Sequence, residues 1–315
     1  MNASPVSELV TVIIPARNEA HRIGATVRAV LTQATCPVEV LVADDGSSDA
    51  TTAEAEKAGA RVLALAGGGN PGAARNTAAR AAKGSILLFL DADCVPRPDW
   101  LGAHLRAQHA GMSIVGGAMA LPLHLPWTAR ADYYASAYHV HPERRPGVVP
   151  NHSPANLSVE RAVFRGTQGF TEQFPVADGH EELAWQSEAG RNGARIYFEP
   201  AAVVEHWNRG GIGNLLRRSY RWGLRALESK ATNDASRLAA LYRIPLVGIL
   251  LAYPLALVET VYITGTWLGA GKWEAIQFVP LIMASRVAYA TAFIVGGFGW
   301  YLRGRNTPGR PPRWR

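Results

Sequence analysis

Three largely apolar runs, each closed by acidic or polar residues, constrain this chain more than any other feature. The run 9–14 stops at Pro15 and is followed by Ala16, Arg17, Asn18 and Glu19. The run 38–43 ends at Asp44-Asp45-Gly46, and 85–90 ends at Asp91-Ala92-Asp93. Short apolar runs of this kind suit strands buried on both faces. The stretches between them, 21–34, 49–58 and 72–83, are predicted helices, with a short strand at 61–65. Alternating strand and helix specify an α/β fold, a mostly parallel sheet flanked by helices. Sheets of this kind bind ligands beyond the carboxyl ends of their strands, which is where these acids fall.

From 114 to 207 the pattern is mixed. A Pro- and His-bearing loop over 122–154 holds one helix near 128–139; a helix follows at 181–190, then strands at 195–198 and 202–205. The net charge of +7 is local: 209–225 and 303–315 each hold five arginines and no acid, which leaves −3 for the rest. A nearly neutral body with two basic patches argues against a nucleic-acid partner. Two cysteines are too few for a disulfide framework, and no signal peptide is read at the start, so a cytosolic catalytic part is expected.

The last third changes character. Residues 244–271 contain one charge, Glu259, and 275–302 contain one, Arg286. Each run exceeds the ~20 residues that cross a bilayer core. They are joined by Lys272-Trp273-Glu274, so a transmembrane helical hairpin is expected. Arg237, Arg243, Arg303 and Arg305 flank it and place both ends in the cytoplasm. Glu259 and Arg286 are equidistant from the connector, about 20 Å down each helix at ~1.5 Å per residue, and are expected to pair. Residues 214–229 read as a basic amphipathic helix suited to an anionic membrane surface. The expected organisation is therefore a domain over 1–207, an interfacial helix over 208–240, the hairpin over 241–302 and a basic tail over 303–315.

The chemistry sits at the strand ends. Asp91 and Asp93, two residues apart, can hold a divalent cation and through it a diphosphate. The stretch 67–72 is glycine-rich but lacks the lysine and spacing of a P-loop. Pro15-Ala-Arg-Asn-Glu19, Asp44-Asp45-Gly-Ser-Ser-Asp49, Gly72-Ala-Ala-Arg75-Asn76 and Asp91-Ala-Asp93 occur in that order. Pro154-Ala-Asn156-Leu-Ser158, Gly166-Thr-Gln-Gly169-Phe170 and a block from His180 to His206 follow. This ordered set resembles glycosyltransferase family 2, over roughly 9–207.

The resemblance implies the GT-A fold and a set of roles. Pro15, Arg17, Glu19, Asp44, Asp45, Arg75, Asn76, Asp91 and Ala92 would contact the nucleotide-sugar. Asp93, Asp91 and His206 would hold Mn²⁺ or Mg²⁺, and Asn156 and Gly169 would face the acceptor. The family places Glu-Asp eleven residues before a glycine that matches Gly193, which puts Glu181-Glu182 at the general-base position. Glu182 is the expected base, with Glu181 and His180 as fallbacks; glutamate in place of aspartate extends the carboxylate by one methylene. Arg221-Trp222 resembles the Gln-x-x-Arg-Trp signature of processive polysaccharide synthases, with Arg218 in the glutamine position.

The expected activity is inverting, metal-dependent transfer from a nucleotide-sugar to a lipid-linked or amphipathic acceptor at the cytoplasmic face of the inner membrane. Family frequency favours a UDP-sugar. Alternatives are a polyprenyl-phosphate sugar synthase, whose metal motif normally continues differently from Cys94-Val-Pro-Arg-Pro-Asp-Trp100, and a non-catalytic nucleotide-sugar-binding membrane protein.

Overall fold

The computed structural model describes residues 8–172, 180–232 and 245–305. Arg237, Arg243 and most of the basic tail lie outside these residues. The chain divides into two compact units. The first comprises Met1–Leu123, Val140–Ala177 and Trp185–Trp207; the second comprises His124–His139, Asp178–Ala184 and Asn208–Arg315.

The first unit is built on a nine-stranded mixed sheet of order β3-β2-β1-β4-β8-β6-β9-β5, with β7 paired to β9. The strands are β1 Val10–Ala16, β2 Val38–Asp44, β3 Arg61–Ala64, β4 Ile86–Leu90, β5 Cys94–Pro96, β6 Ile114–Ala120, β7 Gly147–Val149, β8 Asn156–Glu160 and β9 Ile196–His206. Its first half is parallel, as the alternation predicts: β1 lies between β2 and β4, in register from Val10↔Val38 to Ala16↔Asp44. The second half admits antiparallel neighbours, because β8 pairs with both β4 and β6 in that sense. The helices α1 Ile23–Thr32, α2 Thr51–Lys57, α3 Pro71–Ala81, α4 Trp100–His109 and α6 Arg161–Arg165 complete the layers. α3 starts where the sequence gives it a cap: Asn70 accepts from the Ala73 amide at 3.0 Å, and Pro71 opens the first turn.

The core follows from the strands. Ile13, Ile14, Leu41, Leu87 and Phe89 are completely buried, and Phe89 packs edge-on to Phe170 at 5.0 Å. Each such side chain contributes ~1.5–3 kcal/mol through burial. The strands expected at 195–198 and 202–205 are one strand, β9, whose register on β6 jumps from Gly117↔Glu199 to Ala118↔Val203. Pro200 lies in the jump; it has no amide to donate to a ladder, so a bulge carries the strand past it.

The second unit holds α5 Trp127–Ser136, α8 Ile212–Thr232, α9 Pro245–Gly269 and α10 Val279–Arg305, with a 3-10 turn, Trp273–Phe278, before α10. α7, Leu183–Arg191, begins at its edge. The expected hairpin is α9 and α10. Leu246–Gly269 is 24 residues with an 18-residue window of mean hydropathy 2.0, and Trp273–Gly299 is 27 with one of 1.7, each long and apolar enough to cross a membrane. Arg286 Nη1 stands 3.7 Å from Glu259 Oε2, so the two lone charges meet as their spacing predicts. α8 and α10 meet through glycines: a Cβ on Gly223 would collide with the Tyr289 carbonyl, and one on Gly296 with that of Leu224. Small residues let the two backbones approach this closely.

Candidate active site

The loops after β1 and β2 form one bonded cluster. Asn18, at φ +55°, donates its amide to Ser47 Oγ, and its Oδ1 accepts from the Ser48 amide at 2.8 Å. The Glu19 amide donates to Thr51 Oγ1 at 2.8 Å, and the Asp45 amide to the Ala16 carbonyl at 2.9 Å. Asp44 is only 5% exposed; its carboxylate accepts from the Ser47 amide and hydroxyl and from Thr52 Oγ1. It holds the turn, while Asp45 and Pro15 are half-buried and Arg17 is exposed.

Beside this cluster β4 delivers Asp91. Arg75, on α3, is buried and donates to Asp91 Oδ1 at 2.6 Å, with its guanidinium over the Phe170 ring at 5.5 Å. Burial raises the Asp91 carboxyl above its ordinary range and Asp93 adds to the rise, while Arg75 opposes it. Asn76, one residue on, bonds both the amide and the carbonyl of Phe170. Gly169 permits that bond: it sits at φ +74°, and a Cβ there would lie 2.6 Å from Asn76 Oδ1.

The short strand β5 places the next acid. Cys94 pairs directly with His206 across the β5–β9 ladder, and the Trp207 amide donates to the Asp93 carbonyl at 2.9 Å. This register brings Asp93 Oδ1 to 3.5 Å from His206 Nε2. Donor atoms of Asp93, Cys94 and His206 all lie within 4.8 Å of one another. A carboxylate and an imidazole suit a divalent metal such as Mn²⁺. Cys94 is fully buried, and burial together with the charges of Asp93 and Asp91 pushes its thiol pKa well up. Ala92, between the acids, is buried and accepts from Thr26 Oγ1.

Asn156 does not face an acceptor. It is 0% exposed, and its side chain is fully used: Nδ2 donates to the carbonyls of Ala118 and Ala202, while Oδ1 accepts from Trp100 Nε1 and His104 Nε2. It ties β8, β6, β9 and α4 together. Glu181 and Glu182 precede α7 in the second unit, half-buried, after His180 at φ +73°. A carboxylate there lies at the positive end of the helix dipole. His180 Nε2 lies 3.3 Å from the Trp222 carbonyl, a contact within the same unit.

Residues 11–163 match the profile described as Glycosyl transferase family 2. The glycosyltransferase AglE of Haloferax volcanii is 30% identical over 223 residues, 68% of this chain and 71% of AglE. The chain belongs to glycosyltransferase family 2. It is a glycosyltransferase with the GT-A fold. This family 2 enzyme is also 38% identical over 103 residues to WfgD of Escherichia coli, a UDP-Glc:alpha-D-GlcNAc-diphosphoundecaprenol beta-1,3-glucosyltransferase, covering 32% of this chain and 39% of WfgD. Among solved structures, the Pyrobaculum calidifontis mannosyltransferase PcManGT, in complex with GDP-Man and Mn²⁺, superposes with a TM-score of 0.60 at 20% identity, over 90% of this chain and 86% of that one.

Two buried polar groups lie outside the sequence motifs. His104 and Gln108, four apart on α4, meet Ser158 of β8 and were not distinguished from ordinary helix residues. Asp132 of α5, 3% exposed, takes both guanidinium nitrogens of Arg218 and the Asn208 amide. The arginine in the signature's glutamine position was the available signal, since an arginine at such a site requires an acid.

Proposed function

We propose that this enzyme transfers one sugar, with inversion, from a nucleotide-sugar to a hydroxyl of a lipid-linked acceptor, at the cytoplasmic face of the inner membrane. The observation that carries the reading is the approach of Asp93 to His206, beside an Asp91 held by Arg75. Asp93 and His206 would hold Mn²⁺ or Mg²⁺; when bound, the cation neutralises charge on the departing diphosphate. Asp45 and Arg17, at the rim of the β1–β2 loops, are the available contacts for the nucleoside. Asp44, Arg75 and Asn76 fix the loops that present them.

Glu182 acts as general base. It takes the acceptor hydroxyl proton as that oxygen bonds the anomeric carbon and the bond from that carbon to the diphosphate oxygen breaks. WfgD, by its name, acts on a diphosphoundecaprenol-linked sugar, and the two apolar helices are suited to a membrane; both support a lipid-linked acceptor. A UDP-sugar is the proposed donor.

The purified full-length chain is assayed for release of nucleoside diphosphate from nucleotide-sugars, with and without Mn²⁺. Asp93→Ala is expected to lower turnover roughly 100-fold or more. Glu182→Gln is expected to lower transfer ~10²–10⁴-fold with little change in the donor KM. Full activity in chelator, or in Asp93→Ala, overturns the metal role; full activity in Glu182→Gln removes the base.

A further inference from the structure

Both apolar helices have the length of a bilayer span, yet the helix packed beside α10 argues for another placement. Their connecting turn is clasped by α5. Glu274 bonds the Tyr134 hydroxyl and the Arg130 guanidinium, and Trp127 Nε1 donates to Gln277 Oε1 at 3.2 Å. Trp267 Nε1 donates to the Tyr134 carbonyl at 2.8 Å, and the Tyr134 ring stacks on Phe278 at 5.0 Å.

A crossing in either direction meets an obstacle in α8. α8 runs beside α10 in the same direction: Gly223 lies against Tyr289 and Phe293, Leu224 against Gly296, and Leu227 against Gly297. A transverse α10 would draw α8 into hydrocarbon along with Arg218 and Arg221. Charged residues at that depth are costly.

The exposed surface of α9 resolves the conflict. Leu246, Leu250, Leu257 and Val261 are 55–71% exposed, and Tyr253 and Tyr262 lie open beside them. Their spacing puts them on one half of the helix, where no charged residue falls. Glu259 falls on the other half, where it meets Arg286. α10 packs against both α9 and α8.

We propose that the α9–α10 hairpin lies along the plane of a single leaflet. The open face of α9 sits among the acyl chains, α10 lies behind it, and α8 stands at the headgroups with Arg217 exposed to phosphate. Helix axes pack ~8–10 Å apart, so three axes span ~16–20 Å, within the ~20–22 Å of one leaflet and its headgroups. Trp127 and Trp273, both exposed, are at the turn end, where indole rings favour the interface. This inference rests on the reading that the chain works at a membrane.

The test is a depth profile. On full-length protein carrying Cys36→Ser, with Cys94 buried, single cysteines from Leu246→Cys, Leu257→Cys and Gly269→Cys receive an environment-sensitive fluorophore. Vesicles containing anionic lipid carry nitroxides at a shallow or a deep acyl carbon. In-plane placement gives the three labels the same quenching depth. A span puts Leu257 deepest and the two ends shallower by roughly 15 Å, which overturns the proposal. Sedimentation of the unlabelled chain with vesicles is measured separately; failure to sediment rejects the membrane reading itself, and the in-plane placement with it.

Discussion

At the scale of single residues, the buried polar groups explain more of the behaviour than the acids do. His104 and His152 are both sealed in the first unit. Asn156 Oδ1 can only accept, so His104 Nε2 carries the proton and its Nδ1 accepts from Ser158. Burial lowers both histidine pKa values to about 4, from 6.5. The unfolded chain therefore binds protons that the folded chain refuses. Stability from these groups is fully present above about pH 6.5 and is lost as pH falls towards 4, by up to ~3 kcal/mol per histidine. Denaturant midpoints measured at pH 7 and pH 5 are expected to fall accordingly. A midpoint unchanged between them would show that neither histidine is held neutral by the fold. The acids at the strand ends were legible in the sequence because a strand must stop where its apolar run stops. Asn156 was not: a buried amide looks the same in sequence as an exposed one, and only its four partners, 38 to 56 residues away, distinguish it.

At the scale of elements, local patterning gave the β1–β4 half of the sheet and the two apolar helices to within a few residues. It gave little between 94 and 170, where β5, β7 and α6 are only three to five residues long and carry no measurable period. β5 nonetheless decides the site, since its ladder sets Cys94 opposite His206. The pairing of α8 with α10 was also beyond periodicity, because a glycine contact has no hydrophobic signature. Gly296→Ala is expected to push α8 off α10, since the Leu224 carbonyl occupies the place of the new methyl group and backbone cannot yield as a side chain can. The measurement is the melting temperature, with a loss of several degrees expected from a cost of ~1–3 kcal/mol. A melting temperature equal to that of the parent chain would mean that the helices are not in contact.

At the scale of the whole molecule, the charge distribution sets the expected response to salt. The basic helix and tail attract anionic headgroups at ~1 kcal/mol per residue near the surface, and raising salt from ~0.1 to ~1 M shortens the screening length from ~10 to ~3 Å. Apolar burial of α9 is not screened. Vesicle binding is therefore expected to weaken with salt without being abolished. Complete release at ~1 M would assign the attachment to charge alone.

The clasp on the hairpin turn also dictates an order of assembly. Tyr134 leaves the ribosome 140 residues before Glu274, the group that covers its hydroxyl. Throughout that interval the nascent chain carries an aromatic face with nothing to close it. Biogenesis of this enzyme must therefore shelter α5 until nearly the last helix is made, and a product terminated before Trp267 is born with that face open.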